Sequence, residues 1–389
     1  MNLTESERKK VPLTIPRWRS RSLVRLVALS VMLLLVAAAV IAGAVYRALP
    51  AGSYQSLDQT DRTTFDQLTE QYRAFKAQPE NLWTAGYRYD REPLLLLRTD
   101  GAKSPLWHYA YVINMSHLVD TSHMKKVEFP GNPALDDVYV SNTFEAANAE
   151  LWGSFNFTPI AIGERKVLAF KFHEGMLGEN PPEGLGFAMF SMHEAFHVNK
   201  QANWSYDSVD SRVFHFPRTD EHYRMLKTEL SILDRVPTAE VGKLPGLAKD
   251  LAGIRAARYK KWPQLKAQDN VEAIEGTARY LEYTYRQAVP SKGAASKENS
   301  LVAALDKVWD LPEEQSGLDY SAYYSTGSFL ALLLDRVAPN WKHDIEPPPI
   351  GKGWTPGESL RQTTGITTPP GDSVIAEIEA RYLDESLNR

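Results

Sequence analysis

A chain of 389 residues with 43% hydrophobic and 11% aromatic content has enough apolar material for a sizeable core, which excludes wholesale disorder. The net charge of −4 is uneven: residues 1–25 hold seven bases against two acids, +5, which leaves −9 on the remainder, and an acidic body without a basic stripe excludes nucleic acid as a partner. Cysteine is absent, so disulfides, thiolate nucleophiles and cysteine metal ligands are excluded, and any metal site must use His and carboxylates.

Residues 26–46, LVALSVMLLLVAAAVIAGAVY, are an uncharged run of 21 residues. As a helix this run is about 30 Å long, the thickness of a bilayer's hydrocarbon core. The basic excess precedes it, so the positive-inside rule predicts a single-pass membrane protein with a cytoplasmic tail at 1–25, a transmembrane signal-anchor helix at 26–46 and a stalk at 47–60. The body, 61–389, then lies on the extracytoplasmic side. Ala42-Gly43-Ala44 also resembles a cleavage site, and cleavage there leaves the body secreted instead.

Phe65, Leu68, Tyr72 and Phe75 recur at helical spacing and predict a first amphipathic helix. Strand character follows at 107–113 (WHYAYVI), 137–141 (DVYVS), 155–163 (FNFTPIAIG) and 166–172 (KVLAFKF), with Gly163-Glu164-Arg165 suited to a tight hairpin. Beyond Pro181-Pro182 the pattern turns helical, at about 185–201, around Tyr223, Leu226, Leu230 and Leu233, around Leu247, Leu251 and Ile254, and at about 270–287, 322–337 and 373–386. Sheet first and helices afterwards predicts an α+β fold, an N-terminal antiparallel sheet lobe at about 100–180 and a C-terminal helical lobe at about 181–389, preceded by the transmembrane helix.

Within the helix at 185–201 stands His193-Glu194-Ala195-Phe196-His197, the pattern H-E-x-x-H. Positions four apart leave a helix on one face, one turn from each other, so both imidazoles can ligate one ion. Glu194 can then reach a water at that ion without being a ligand, the place of a general base. The pentad arises by accident in about one chain of this length in a hundred. Its setting among Phe187, Met189, Phe190 and Phe196 adds a burial penalty for His and Glu that a metal relieves.

Catalytic zinc usually has three protein ligands, and the best third one lies in residues 271–282 (VEAIEGTARYLE). Ile274, Ala278, Leu281 and Tyr285 form a buried stripe, Glu275 sits at its margin, and Gly276 permits close helix approach. Glu272 and Glu282 are the alternatives, also as groups that hydrogen-bond the ligands, and a solvated acidic face is the bland alternative.

With these residues the chain resembles the gluzincins, peptidase MA-like metallopeptidases whose ligands are the two His of H-E-x-x-H and a Glu on a later helix, often in E-G-x-A-x-Y. Glu275-Gly276-Thr277-Ala278-Arg279-Tyr280 fits that form. The resemblance implies a zincin-like catalytic unit with His193, His197 and Glu275 on Zn²⁺, Glu194 as catalytic base and a peptide or protein substrate. It also implies a substrate-binding edge strand before the active helix, a role open to KVLAFKF. Tyr324-Ser325-Thr326-Gly327 looks like the Tyr-x-x-Gly helix start of several such peptidases, which implies Tyr324 as oxyanion donor, with Tyr323 beside it as an alternative. The match departs from the group in its 78-residue gap between His197 and Glu275, which must hold an inserted helical pair at 219–260, and in having Arg279 where some members place a histidine-orienting acid. A binding or scaffold protein with a degenerate or structural zinc site, and a zinc hydrolase of non-peptide substrates, are the other readings.

Overall fold

Helix α1 (Gln59–Ala77) begins where Asp58 accepts the backbone N–H of Asp61 at 2.8 Å, and it buries Phe65, Leu68, Tyr72 and Phe75 completely, as their spacing predicts. In the computed structural model of the protein, residues 25–36, 49–50, 52–144, 149–178, 186–204, 206, 212–289, 300–348 and 352–383 are described.

The predicted membrane helix is corrected here. Residues 25–36 are helical, the rest of the 26–46 run lies outside the described residues, and among the described residues no helix is long and apolar enough to cross a membrane. The single-pass topology, and the two sides assigned from it, do not stand. The chain lies on the body already at Ser53, which bridges to Glu128, and Leu57 is buried.

Six strands make one sheet: β1 (Leu94–Arg98), β2 (Ala110–Ile113), β3 (Lys125–Lys126), β4 (Val138–Ser141), β5 (Phe157–Ile162) and β6 (Arg165–Phe172), in the order β3-β4-β2-β1-β6-β5. The sheet is mixed rather than antiparallel, because β6 returns beside β1 and runs parallel to it, Leu94 opposite Leu168 and Arg98 opposite Phe172. The other neighbours are antiparallel. Gly163 and Glu164 form the two-residue turn between β5 and β6, and Gly163 takes φ +60°, the positive first position of a hairpin turn whose twist matches the strands.

Both faces of the sheet are covered. Leu94 and Leu96 of β1 join Tyr111, Val140, Leu168 and Phe170 in the main core under the helices. Leu95 and Leu97 point the other way, into a smaller core with Trp107, Val112, Phe144 and Val167.

Helix α2 (Phe187–Asn199) lies on β6: Phe187 meets Phe170 and Phe172, and Phe190 meets Phe157 and Phe170, with ring centroids 5.1–6.4 Å apart. The gap between the two motifs does hold a helical pair, α3 (Asp220–Arg235) and α4 (Leu244–Lys261). Next comes α5, an uninterrupted run of Gln268–Val271, a π-helical turn Glu272–Gly276, and Thr277–Ala288. Helices α6 (Leu301–Val308), α7 (Ala322–Val337), α8 (Pro356–Thr364) and α9 (Asp372–Leu383) complete the helical side.

Where α3, α4, α5 and α7 meet, charges are buried but paired. Arg255 donates Nε to Glu229 at 2.8 Å and forks both Nη onto Glu272 at 2.7 Å; Arg258 pairs with Glu229; Gln268 and Thr326 donate to Glu272 at 2.9 and 2.6 Å. His222 closes this network as a neutral ring. Its Nδ1–H donates to Pro217 O at 2.7 Å, so Nε2 accepts from Arg258 at 3.1 Å. Burial first, and the Arg258 charge second, push His222 down to about 3. The unfolded chain therefore takes up a proton near pH 6.5 that the folded chain refuses, so this stability is complete above pH 6.5 and is lost as pH falls towards 3. We predict that the advantage of the wild type over His222→Gln in urea midpoint shrinks from pH 7 to pH 4. A constant difference contradicts a neutral buried His222.

Candidate metal centre

The helical period puts His193 and His197 one turn apart on α2, with ring centroids 4.7 Å apart. Their outer nitrogens are both committed. His193 Nδ1–H donates to Glu282 Oε1 at 2.8 Å, and Glu282 is held in turn by Arg279 at 2.5 Å. His197 Nδ1–H donates to Gln201 Oε1 at 2.5 Å, and Gln201 donates its amide to Ile274 O at 2.9 Å and Thr277 Oγ1 at 2.8 Å. Both Nε2 atoms are thus turned inward, and each lies 3.3 Å from one atom, Oε2 of Glu275.

Glu275 reaches that point through the π turn of α5, a feature that concentrates at functional sites. The next residue, Gly276, lets α5 touch α7: a Cβ there stands 2.6 Å from Cα of Gly327, and one on Gly327 stands 2.7 Å from Cα of Gly276. No side chain fits at either position without moving the helices apart. This crossing carries Tyr324, three residues before Gly327, to the ligands, where its ring stacks on His193 at 5.9 Å and 8°.

The donor set suits zinc. Bonds of about 2.0–2.1 Å to His nitrogen and carboxylate oxygen in a tetrahedral site put ligand atoms about 3.3–3.4 Å apart, the separation found from Glu275 Oε2 to each Nε2. Two carboxylates, Glu194 and Glu275, lie against the two imidazoles at low exposure, while Glu282 is paired with Arg279. Glu194 and Glu275 do not compete equally for the place of third ligand. Glu194 offers an oxygen within 4.8 Å of both His nitrogens, but only Glu275 sits at the convergence of the two Nε2 atoms. Burial pushes Glu194 up to about 7, against the pull of His197 and His193. Glu275 is held well below the carboxylate range: burial raises it, but the two imidazoles beside it and the hydroxyl of Tyr320 outweigh that.

No family model, no curated protein and no solved structure matches this chain.

His193, Glu194, His197, Glu275 and Tyr324 therefore come together, and Glu282 takes a position beside His193. Three expectations are corrected. Glu272 turns away from the site into the buried Arg255 network. Tyr323 is buried among Arg258, Glu229 and Glu272 and is not interchangeable with Tyr324. The strand KVLAFKF, as β6, lies between β1 and β5, so the edge strand nearest α2 is β5.

Sequence reasoning missed Gln201 and Tyr320. Gln201 follows His197 by four residues, the same-face spacing that was legible, whereas Tyr320, which donates to Glu275 Oε1 at 2.6 Å, sits in a turn before α7 and carried no periodic signal. A surface hollow of 530 Å³ between α1 and residues 129–132 contains none of these residues.

Because Glu282 fixes the tautomer and orientation of His193, Glu282→Gln is expected to weaken zinc binding roughly 10- to 100-fold, read by competition with a chromogenic chelator. An unchanged affinity contradicts that role.

Proposed function

We propose that this protein is a zinc-dependent metallopeptidase. The observation that carries the reading is the convergence of His193 Nε2 and His197 Nε2 on Glu275 Oε2, with 3.3 Å on both sides, beside a Glu194 that is not needed as a ligand. Three protein ligands and a free carboxylate are the set of a catalytic site, where a structural site closes with four. A bound zinc supplies Lewis acidity, polarising a carbonyl and acidifying water.

Within this reading Glu194, buried and raised to about 7, takes a proton from the attacking water and passes it to the leaving amine. Tyr324 supplies a hydrogen bond to the oxyanion. Burial first, and the Glu275 charge second, raise its hydroxyl far above neutrality, so it stays a donor. Glu282 and Gln201 keep the two imidazoles in the tautomer that faces the reaction. Among the described residues β5 is an edge strand, and its Phe157 meets Phe190 of α2 at 5.1 Å; an extended peptide laid along this edge is the support for peptides over other carbonyl substrates.

The test is a peptide library incubated with the purified protein and read by mass spectrometry. Cleavage that stops with a zinc chelator and returns with added zinc is the expected result. Zinc-loaded, folded protein that cleaves nothing overturns the peptidase reading.

A further inference from the structure

The two oxygens of Glu275 have different partners. Oε2 is the atom 3.3 Å from both imidazole nitrogens, while Oε1 accepts the hydroxyl of Tyr320 at 2.6 Å. An O–H to carboxylate bond of that length is a charge-assisted one, among the stronger hydrogen bonds in proteins. Tyr320 is itself fixed, with Tyr324 at 5.8 Å between ring centroids and the guanidinium of Arg212 at 5.7 Å from its ring. It enters from the turn that precedes α7, whose Gly317 has φ +65° and accepts from Tyr320 N–H at 3.3 Å.

A carboxylate binding a metal through both oxygens takes two coordination positions, and one binding through a single oxygen takes one. We propose that Tyr320 is a positioning residue that holds Glu275 to a single metal-facing oxygen and so keeps the metal, with its water beside Glu194, at four ligands rather than five. This rests on the metallopeptidase reading. Tyr320 touches no reacting atom, and its hydroxyl also bonds that of Tyr324, which itself bonds Glu275, so the coordination readouts rather than turnover isolate its action on Glu275.

The experiment compares the wild type with Tyr320→Phe after Co²⁺ replaces zinc. The Phe ring preserves the packing on Tyr324 and Arg212, so the substitution removes only the hydroxyl. The wild type is expected to show the intense visible absorption of four-coordinate Co²⁺, and the variant the weaker absorption of five-coordinate Co²⁺. X-ray absorption on the zinc forms is expected to find one more oxygen neighbour in the variant. Turnover at saturating peptide should fall roughly 10- to 100-fold while KM changes by less than about twofold. Matching spectra and neighbour counts in the two proteins overturn the proposal, as does loss of the metal from the variant, which makes Tyr320 a plain support of ligation. A wild type that takes up no Co²⁺ dependent on His193 and His197 overturns the metal reading itself, a different result from either.

Discussion

Glu194→Gln is expected to lower turnover by roughly 10²–10⁴-fold while leaving one zinc per chain in place, because the amide keeps the shape of the carboxylate but cannot accept and return a proton. The separation of the two effects follows from the geometry. The atoms that converge are His193 Nε2, His197 Nε2 and Glu275 Oε2, and none of them belongs to Glu194. Zinc content by elemental analysis and initial rates on one cleaved peptide check both halves. A variant that retains turnover rules out Glu194 as the base, and one that loses zinc makes Glu194 a ligand.

Arg255→Met is expected to destabilise the fold by about 3–5 kcal/mol, since it leaves two buried carboxylates short of their cation. Glu272 loses both of its 2.7 Å partners at once, and Glu229 keeps only Arg258 and Gln268. Glu272 opens the π turn that presents Glu275, three residues on, so weaker zinc binding should accompany the lower denaturant midpoint. Replacing Glu272 by Leu in the same chain should restore part of the stability, because removing both members of a buried pair costs less than removing one. A midpoint unchanged by Arg255→Met contradicts the network's structural role.

What was legible in the sequence was whatever helix periodicity fixes. The His193 and His197 spacing, the buried face of α1 and the close approach at Gly276 all follow from 3.6 residues per turn and the absence of a Cβ. Strand order does not follow from periodicity. β6 reads as a strand by composition, but its place between β1 and β5 depends on a parallel return after a long connection. β1 itself was missed, because Leu94 to Leu97 show no alternation; a strand buried on both faces has none to show. Glu282 was legible as a group that could hydrogen-bond a ligand, but that it meets His193 rather than His197 is set by how α5 crosses α2. The apolar run at 26–46 was legible as composition, yet among the described residues no helix is long and apolar enough to cross a membrane.

The most direct test of the metal centre is the zinc content of the purified protein beside a His193→Ala, His197→Ala double variant. Near one equivalent in the wild type and almost none in a folded variant is the predicted result; a folded, zinc-supplemented wild type that holds no zinc contradicts the assignment of this site.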